Sequence, residues 1–187
     1  MEISFQWAFS LILLMLPAYF ANAAPVLLNP SGGKTGKINT TPIDGGKNLW
    51  DSRRILGDGK TWEGLFGGIT AGWLAGTVIG WAGLAPLGFS FDQWFWVSLF
   101  LSAGAHAGDL LGSFLKRRLN VGSGRRFPVF DQLGFVIIGL LFASFAAPQL
   151  GFLIGIGGFA FILAFSYCAH AFFNWLAFKI GLKKVPW

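Results

Sequence analysis

The sequence predicts an all-α, polytopic membrane protein with about five transmembrane helices and two cytoplasmic polar loops. Two observations carry that expectation. Of the 187 residues, 54% are hydrophobic and 12% charged, with a mean hydropathy of +0.60. A soluble domain carries about 25% charge, and one of this length cannot hide so much apolar surface in one core. A soluble single domain and a disordered chain are both excluded. The second observation is five apolar runs separated by polar or proline-marked breaks, at 3–28, 65–87, 91–115, 133–147 and 150–178.

Each run is close to the length of about 20 residues that a spanning helix needs, the fourth being shorter. The first resembles a signal peptide, with Ala-Asn-Ala ending at Ala23. It lacks a basic start, its early charge being Glu2, and reads as a retained helix. Pro86 closes the second run and Pro148 falls between the fourth and fifth, where helices stop. Glycines recur every fourth residue from Gly64 to Gly80 and from Gly104 to Gly112. Small residues at that spacing let membrane helices approach closely, within one chain or between copies. A single cysteine, Cys168, excludes an intramolecular disulfide and a Cys-based metal site.

The 14 basic residues set the topology. Six lie between Lys34 and Lys60, five between Lys116 and Arg126, and three at Lys179, Lys183 and Lys184. With five helices these segments share one side, which the positive-inside rule makes cytoplasmic. The N-terminus is then outside and the C-terminus inside. The cytoplasmic loops run over about 29–63 and 116–131 of a single integral-membrane domain, 1–187.

The polar chemistry collects on that side. Gly59-Lys60-Thr61 and Gly33-Lys34-Thr35 hint at a phosphate-binding P-loop, but Arg54 and Leu28 stand where its earlier glycine belongs. Exposed glycine amides with lysines and arginines still suit phosphates. An ordinary basic loop attracting lipid headgroups has the same composition. His106, Asp109, Ser113, Lys116 and Arg117 share one face of the third helix. Asp109 lies about two turns inside the apolar run, where a charge needs a cavity, an ion or a partner such as Lys116 or Arg117. Asp131 opens the fourth helix, where a carboxylate also serves as a simple cap. Together, two carboxylates among basic residues suit magnesium, which takes one or two carboxylates plus phosphate oxygens and water. Ser166, His170 and Asn174 make a polar stripe on the fifth helix, suited to interhelical hydrogen bonds or to the same cavity.

Several stretches point further: Pro42-Ile-Asp-Gly-Gly, Asp51-Ser-Arg-Arg, Leu56-Gly-Asp-Gly-Lys-Thr-Trp, Gly108-Asp-Leu-Leu-Gly-Ser-Phe-Leu-Lys-Arg-Arg, Pro128-Val-Phe-Asp-Gln-Leu and the terminal Lys179–Trp187. On these the chain resembles the archaeal CDP-archaeol synthase family, relatives of the CDP-diacylglycerol synthases, over nearly its whole length. It departs from the family pattern at Ser52, where the family has Gly, and at Gly134, where it often has Asp. The resemblance implies a cytidylyltransferase joining CTP to a geranylgeranyl ether-lipid phosphate at the bilayer, with Mg2+ as cofactor and no nucleic-acid partner. It implies Asp109 and Asp131 as metal carboxylates and Lys116 and Arg117 as phosphate contacts. Asp58, Gly59, Lys60 and Thr61 would form the nucleotide site, with Arg53 and Arg54 closing it. A CDP-diacylglycerol synthase acting on phosphatidic acid and a small transporter are the competing readings. Phe127-Pro-Val-Phe before Asp131 argues against the first, and the absence of an internal repeat against the second.

Overall fold

A computed structural model describes residues 4–28, 41–122, 125, 127, 130–182 and 185–186. The expectations for Lys34, Lys37, Arg126, Lys183 and Lys184 lie outside them. Among the described residues the chain forms five α-helices: α1 (Phe5–Leu28), α2 (Trp62–Trp81), α3 (Phe91–Arg118), α4 (Phe130–Ala146) and α5 (Leu150–Lys179). Thr61 and Ser90 cap the starts of α2 and α3, their hydroxyls accepting from the Gly64 and Gln93 amides.

Three helix ends share one device. After α2, the Gly83 amide donates to Gly80 and the Leu84 amide to Ile79; Asn120–Val121 after α3 and Gly181–Leu182 after α5 do the same. Gly83, Asn120 and Gly181 all have positive φ, and the pattern is a Schellman stop. It ends α2 at Trp81, short of the Leu87 expected from hydropathy, because Gly83 turns the chain before the apolar residues run out. α3 instead continues past Leu115 through Lys116, Arg117 and Arg118, whose charges favour a helix C-terminus.

α3 is the centre of the bundle, packed along α4 and also against α2 and α1, while α5 sits outermost against α4 and α1. The first glycine ladder explains how α2 comes so close. Gly68, Gly72, Gly76 and Gly80 face His106, Ser102, Ser98 and Trp94 in turn. Each step of four forward on α2 is a step of four back on α3, the register of antiparallel helices. A Cβ at Gly68, Gly72 or Gly76 would overlap these side chains, and at Gly72 also the Pro17 carbonyl of α1. The second ladder meets α4, with Gly104 on Ile138 and Gly108 on Gly134. The Trp94 indole donates to the Gly76 carbonyl at 2.7 Å, sealing the crowded end.

Phe145, Phe152, Ile156 and Trp81 point out of the bundle. Such large apolar side chains on the outside need lipid rather than water. α1, α2 and α5 are long and apolar enough to cross a membrane. α4, with 17 residues, is apolar but shorter, and α3 carries charge at both ends.

Candidate active site

The polar residues gather where the 41–61 segment closes over the end of α3, from which Lys116 reaches Asp131 at the start of α4. That segment is a compact loop tied to itself by isolated bridges pairing Pro42 with Thr61 and Asn48 with Arg54. Its centre is Asp44, whose side chain is 0% exposed. Asp44 accepts from Arg54 Nη2 at 2.7 Å and Nε at 3.2 Å, and from the amides of Gly46, Leu56 and Gly57 at 3.0–3.1 Å.

Arg118 fastens the loop to α3. Its guanidinium donates to Asp51 at 2.7 Å and to the Arg54 carbonyl at 2.6 Å, while Arg53 donates back to the Arg118 carbonyl at 2.7 Å. The turn between them places Ser52 at φ 58°, the left-handed region that favours glycine. The departure at Ser52 expected from the resemblance thus falls on a backbone position where glycine would be unstrained, and Ser52 adopts that conformation as a non-glycine residue.

Two lysine–carboxylate pairs cross between elements. Lys60 pairs with Asp109, and Lys116 pairs with Asp131 at 2.6 Å. Asp109 thus takes its counterion from the first loop and not from Lys116 or Arg117 on its own helix. Asp131 also accepts from the Phe127 amide at 3.0 Å, so it orders the approach to α4 besides holding Lys116.

Arg117 donates to the carbonyls of Leu56 at 3.2 Å and Val121 at 3.0 Å. Beside it opens a cleft of about 290 Å3, whose wall includes Arg53, Arg54, Gly57, Asp58, Arg117 and Asn120. Asp58 is 84% exposed and holds Arg54 Nη1 at 2.7 Å.

The Arg54 guanidinium, helped by the three amides and opposed by desolvation, holds the Asp44 carboxyl well below the usual carboxylate range. Asp44, then Asp58, raise Arg54 in return and keep it charged. A lowered folded pKa contributes stability in full above the unfolded value, about 3.9, and loses it progressively as pH falls from there through the folded value. Amide exchange at Leu56 and Gly57, corrected for intrinsic rates, should therefore show protection unchanged from about pH 7 to about pH 4.5. Protection that already falls between about pH 7 and pH 5, well above the unfolded value, would mean that Asp44 does not carry this loop.

The family model for CarS-like CDP-archaeol synthase matches residues 4–187. The chain belongs to the CDP-archaeol synthase family. Relatives bearing the name CDP-archaeol synthase include one from Thermococcus gammatolerans, 45% identical, with 92% of each chain covered. Another, from Methanococcus aeolicus, is 40% identical, covering 92% of this chain and 93% of its own. A solved structure described as an intramembrane enzyme for archaeal membrane lipids biosynthesis is 36% identical, with a TM-score of 0.64, covering 85% of this chain and 91% of that one. This CDP-archaeol synthase family member is thus a multi-pass membrane nucleotidyltransferase of lipid biosynthesis.

In this family member the structure brings together Arg53, Arg54, Asp58 and Arg117 around the cleft, with the Lys60–Asp109 and Lys116–Asp131 pairs beside it in the chain. Thr61 is engaged as the cap of α2, and a Cβ on Gly59 would meet open space. Ser166 hydrogen-bonds the Tyr19 hydroxyl of α1 at 2.7 Å, and Asn174 lies 3.1 Å from His170. Ser166 thus ties α5 to α1, while His170 and Asn174 approach each other along α5. Asp44, Asp51 and Arg118 carry no assigned role in the sequence reading. Their signal was present in Pro42-Ile-Asp-Gly-Gly, in Asp51-Ser-Arg-Arg and, for Arg118, in the Gly108–Arg118 stretch, which carried the resemblance without saying what the residues hold.

Proposed function

We propose that this protein is a magnesium-dependent cytidylyltransferase that joins CTP to 2,3-bis-O-geranylgeranyl-glycerol 1-phosphate, releasing pyrophosphate and unsaturated CDP-archaeol. The observation that carries this reading is the placement of two lysine–carboxylate pairs and an arginine-walled cleft at one end of α3. The five helices all span the membrane, with the cleft and C-terminus cytoplasmic and the N-terminus outside, following the basic residues.

The lipid phosphate is itself the nucleophile. One of its oxygens forms a bond to the α-phosphorus of CTP, and the bond from that phosphorus to the oxygen bridging toward the β-phosphorus breaks. Pyrophosphate carries away the electron pair. No covalent enzyme intermediate and no strong base is required, because the attacking phosphate is already anionic. The obstacle is bringing two anions together, so the protein's task is positioning and charge compensation. Arg54 and Arg117 face the cleft as phosphate ligands, with Arg53 closing its wall. Gly59 and Asp58 form the turn beside the nucleotide, and Thr61 holds that turn to α2. Lys60 and Lys116 turn from their carboxylates to substrate phosphates.

Asp109 and Asp131 would hold magnesium. Each carboxylate already faces a cationic centre, its lysine ammonium, so the donor set suits a cation. Two carboxylates are enough on ligand count, because substrate oxygens and water complete a magnesium shell. Among the described residues no group of three or more His, Cys, Asp or Glu is placed to hold a metal ion by itself. When bound, the ion neutralises charge on the phosphate oxygens.

The decisive assay supplies purified protein in detergent with CTP, magnesium and the ether-lipid phosphate, and with phosphatidic acid in parallel. Lipid-linked CMP and pyrophosphate should form in equal amounts, preferentially from the ether lipid. Preference for phosphatidic acid would keep the chemistry and move the substrate to ester lipids. No product from folded, CTP-binding protein would overturn the assignment.

A further inference from the structure

Asp44 lies behind the cleft and is not among the residues that line it. Its side chain is fully buried, and apart from the Gly46 amide its contacts lead toward the cleft wall, through Arg54 and through the Leu56 and Gly57 amides. One oxygen takes Arg54 Nη2 and the other Arg54 Nε, a two-pronged grip that sets the plane of the guanidinium. That leaves Nη1, which turns to the exposed Asp58. A carboxylate so exposed is easily displaced by an arriving phosphate, so Nη1 is the part of Arg54 presented to a ligand.

The second line runs through the backbone. The oxygen that takes Nε also accepts the Leu56 and Gly57 amides. The carbonyl of the same Leu56 accepts Arg117 Nε at 3.2 Å. Gly57 sits at φ 105°, and a Cβ there would lie 3.3 Å from Arg117 Nη2. The turn is thus shaped against the second guanidinium while its amides are pinned from behind.

We propose that Asp44 is a positioning residue for the phosphates of the nucleotide, holding both cleft-facing guanidiniums in place, Arg54 directly and Arg117 through the Leu56 peptide. It rests on the cytidylyltransferase reading for the identity of the nucleotide. A carboxylate that only supported the loop would change how much protein folds. A positioning carboxylate changes how tightly the folded protein holds CTP.

The experiment measures CTP binding by calorimetry on detergent-purified protein, and KM and kcat for CTP and for the ether-lipid phosphate. Asp44→Asn keeps the shape and removes the charge that grips Arg54. It should raise both the Kd and the KM for CTP by about tenfold, leaving kcat and the lipid KM within about twofold. Arg54→Gln should produce a similar rise, and the double variant should fall well short of the product of the two single effects, because the Asp44–Arg54 grip is counted in both and only the line to Arg117 remains for Asp44 to act through. Asp44→Glu keeps the charge but shifts it by one methylene, and should raise the CTP KM by about threefold. If Asp44→Asn does not fold, the Asp44→Glu value decides. Unchanged CTP affinity in the folded variants, or a loss confined to thermal stability and active fraction, overturns the proposal while wild-type turnover leaves the enzyme reading standing. Tenfold weaker CTP binding in a protein whose wild type makes no CDP-lipid supports the positioning role and overturns the enzyme reading. A wild type that binds no CTP overturns both.

Discussion

Asp109→Asn should abolish CTP-dependent pyrophosphate release while the protein still purifies as a folded species. The carboxamide has nearly the volume of the carboxylate, and its partner Lys60 is partly exposed, so an unpaired ammonium can be reached by water. The fold loses one ion pair between a loop and a helix, which is a small cost where water screens it. Catalysis loses much more. The variant removes one of the two carboxylates that would hold magnesium, and it leaves Lys60 without the counterion that sets its position. Charge stabilisation lost at the reacting phosphates costs about a thousandfold or more in turnover. The measurement is the initial rate of pyrophosphate release beside circular dichroism and size exclusion of the same preparation. Full activity in the variant would sink the metal role of Asp109, and Asp131 alone would then be left to carry the site.

The second large effect comes from a single methyl group placed between helices. A Cβ on Gly108 would overlap the Gly134 carbonyl, with the Phe135 Cα at 2.8 Å. Both are backbone of α4, so no side-chain rotation relieves the clash. Gly108→Ala should push α3 from α4 and destabilise the bundle by about 1–3 kcal/mol. It should also cut turnover by about 100-fold, because displacement of about 1 Å is enough to spoil phosphoryl geometry. Asp109 and Asp131 sit on the two helices being separated. Gly157→Ala is the matched control. Nothing lies within 4 Å of a Cβ there, and alanine favours a helix over glycine by about 1 kcal/mol. That variant should be neutral or slightly more stable, with full activity. Thermal unfolding in detergent and the turnover assay read both; equal behaviour of the two variants would show that the ladder is not a contact surface.

Much of the architecture was legible because hydrophobicity and helix length are local. The apolar runs at 91–115 and 150–178 anticipate α3 and α5 closely, and the four-residue glycine spacing identifies the faces that pack. The miss at α2 is also local in origin. Hydropathy ignores the backbone, and the Schellman turn at Gly83 stops the helix while the chain is still apolar. The extension of α3 to Arg118 is the converse, a helix running on through charge that hydropathy counts as loop.

The site divides in the same way. Asp109, Lys116 and Arg117 were placed on one face of α3 by spacing alone. Spacing along one helix favours partners on that helix, and Lys116 or Arg117 were the nearest available to Asp109. The structure gives Asp109 to Lys60, 49 residues earlier, and Lys116 to Asp131. Asp44 was invisible as a functional residue for the same reason. In the chain it is one acid in a turn-rich motif, while in the fold it gathers an arginine and three amides around one carboxylate.

The sequence by itself determined the membrane class, the helices, the basic face and the family, since composition, periodicity and motif spacing are properties of neighbours along the chain. Only the tertiary structure decided which lysine meets which carboxylate and that two arginines of the cleft are set from behind by a residue that never reaches it. Those pairings depend on how a loop folds over the end of a distant helix, and a charge in a one-dimensional pattern has no direction until that packing supplies one.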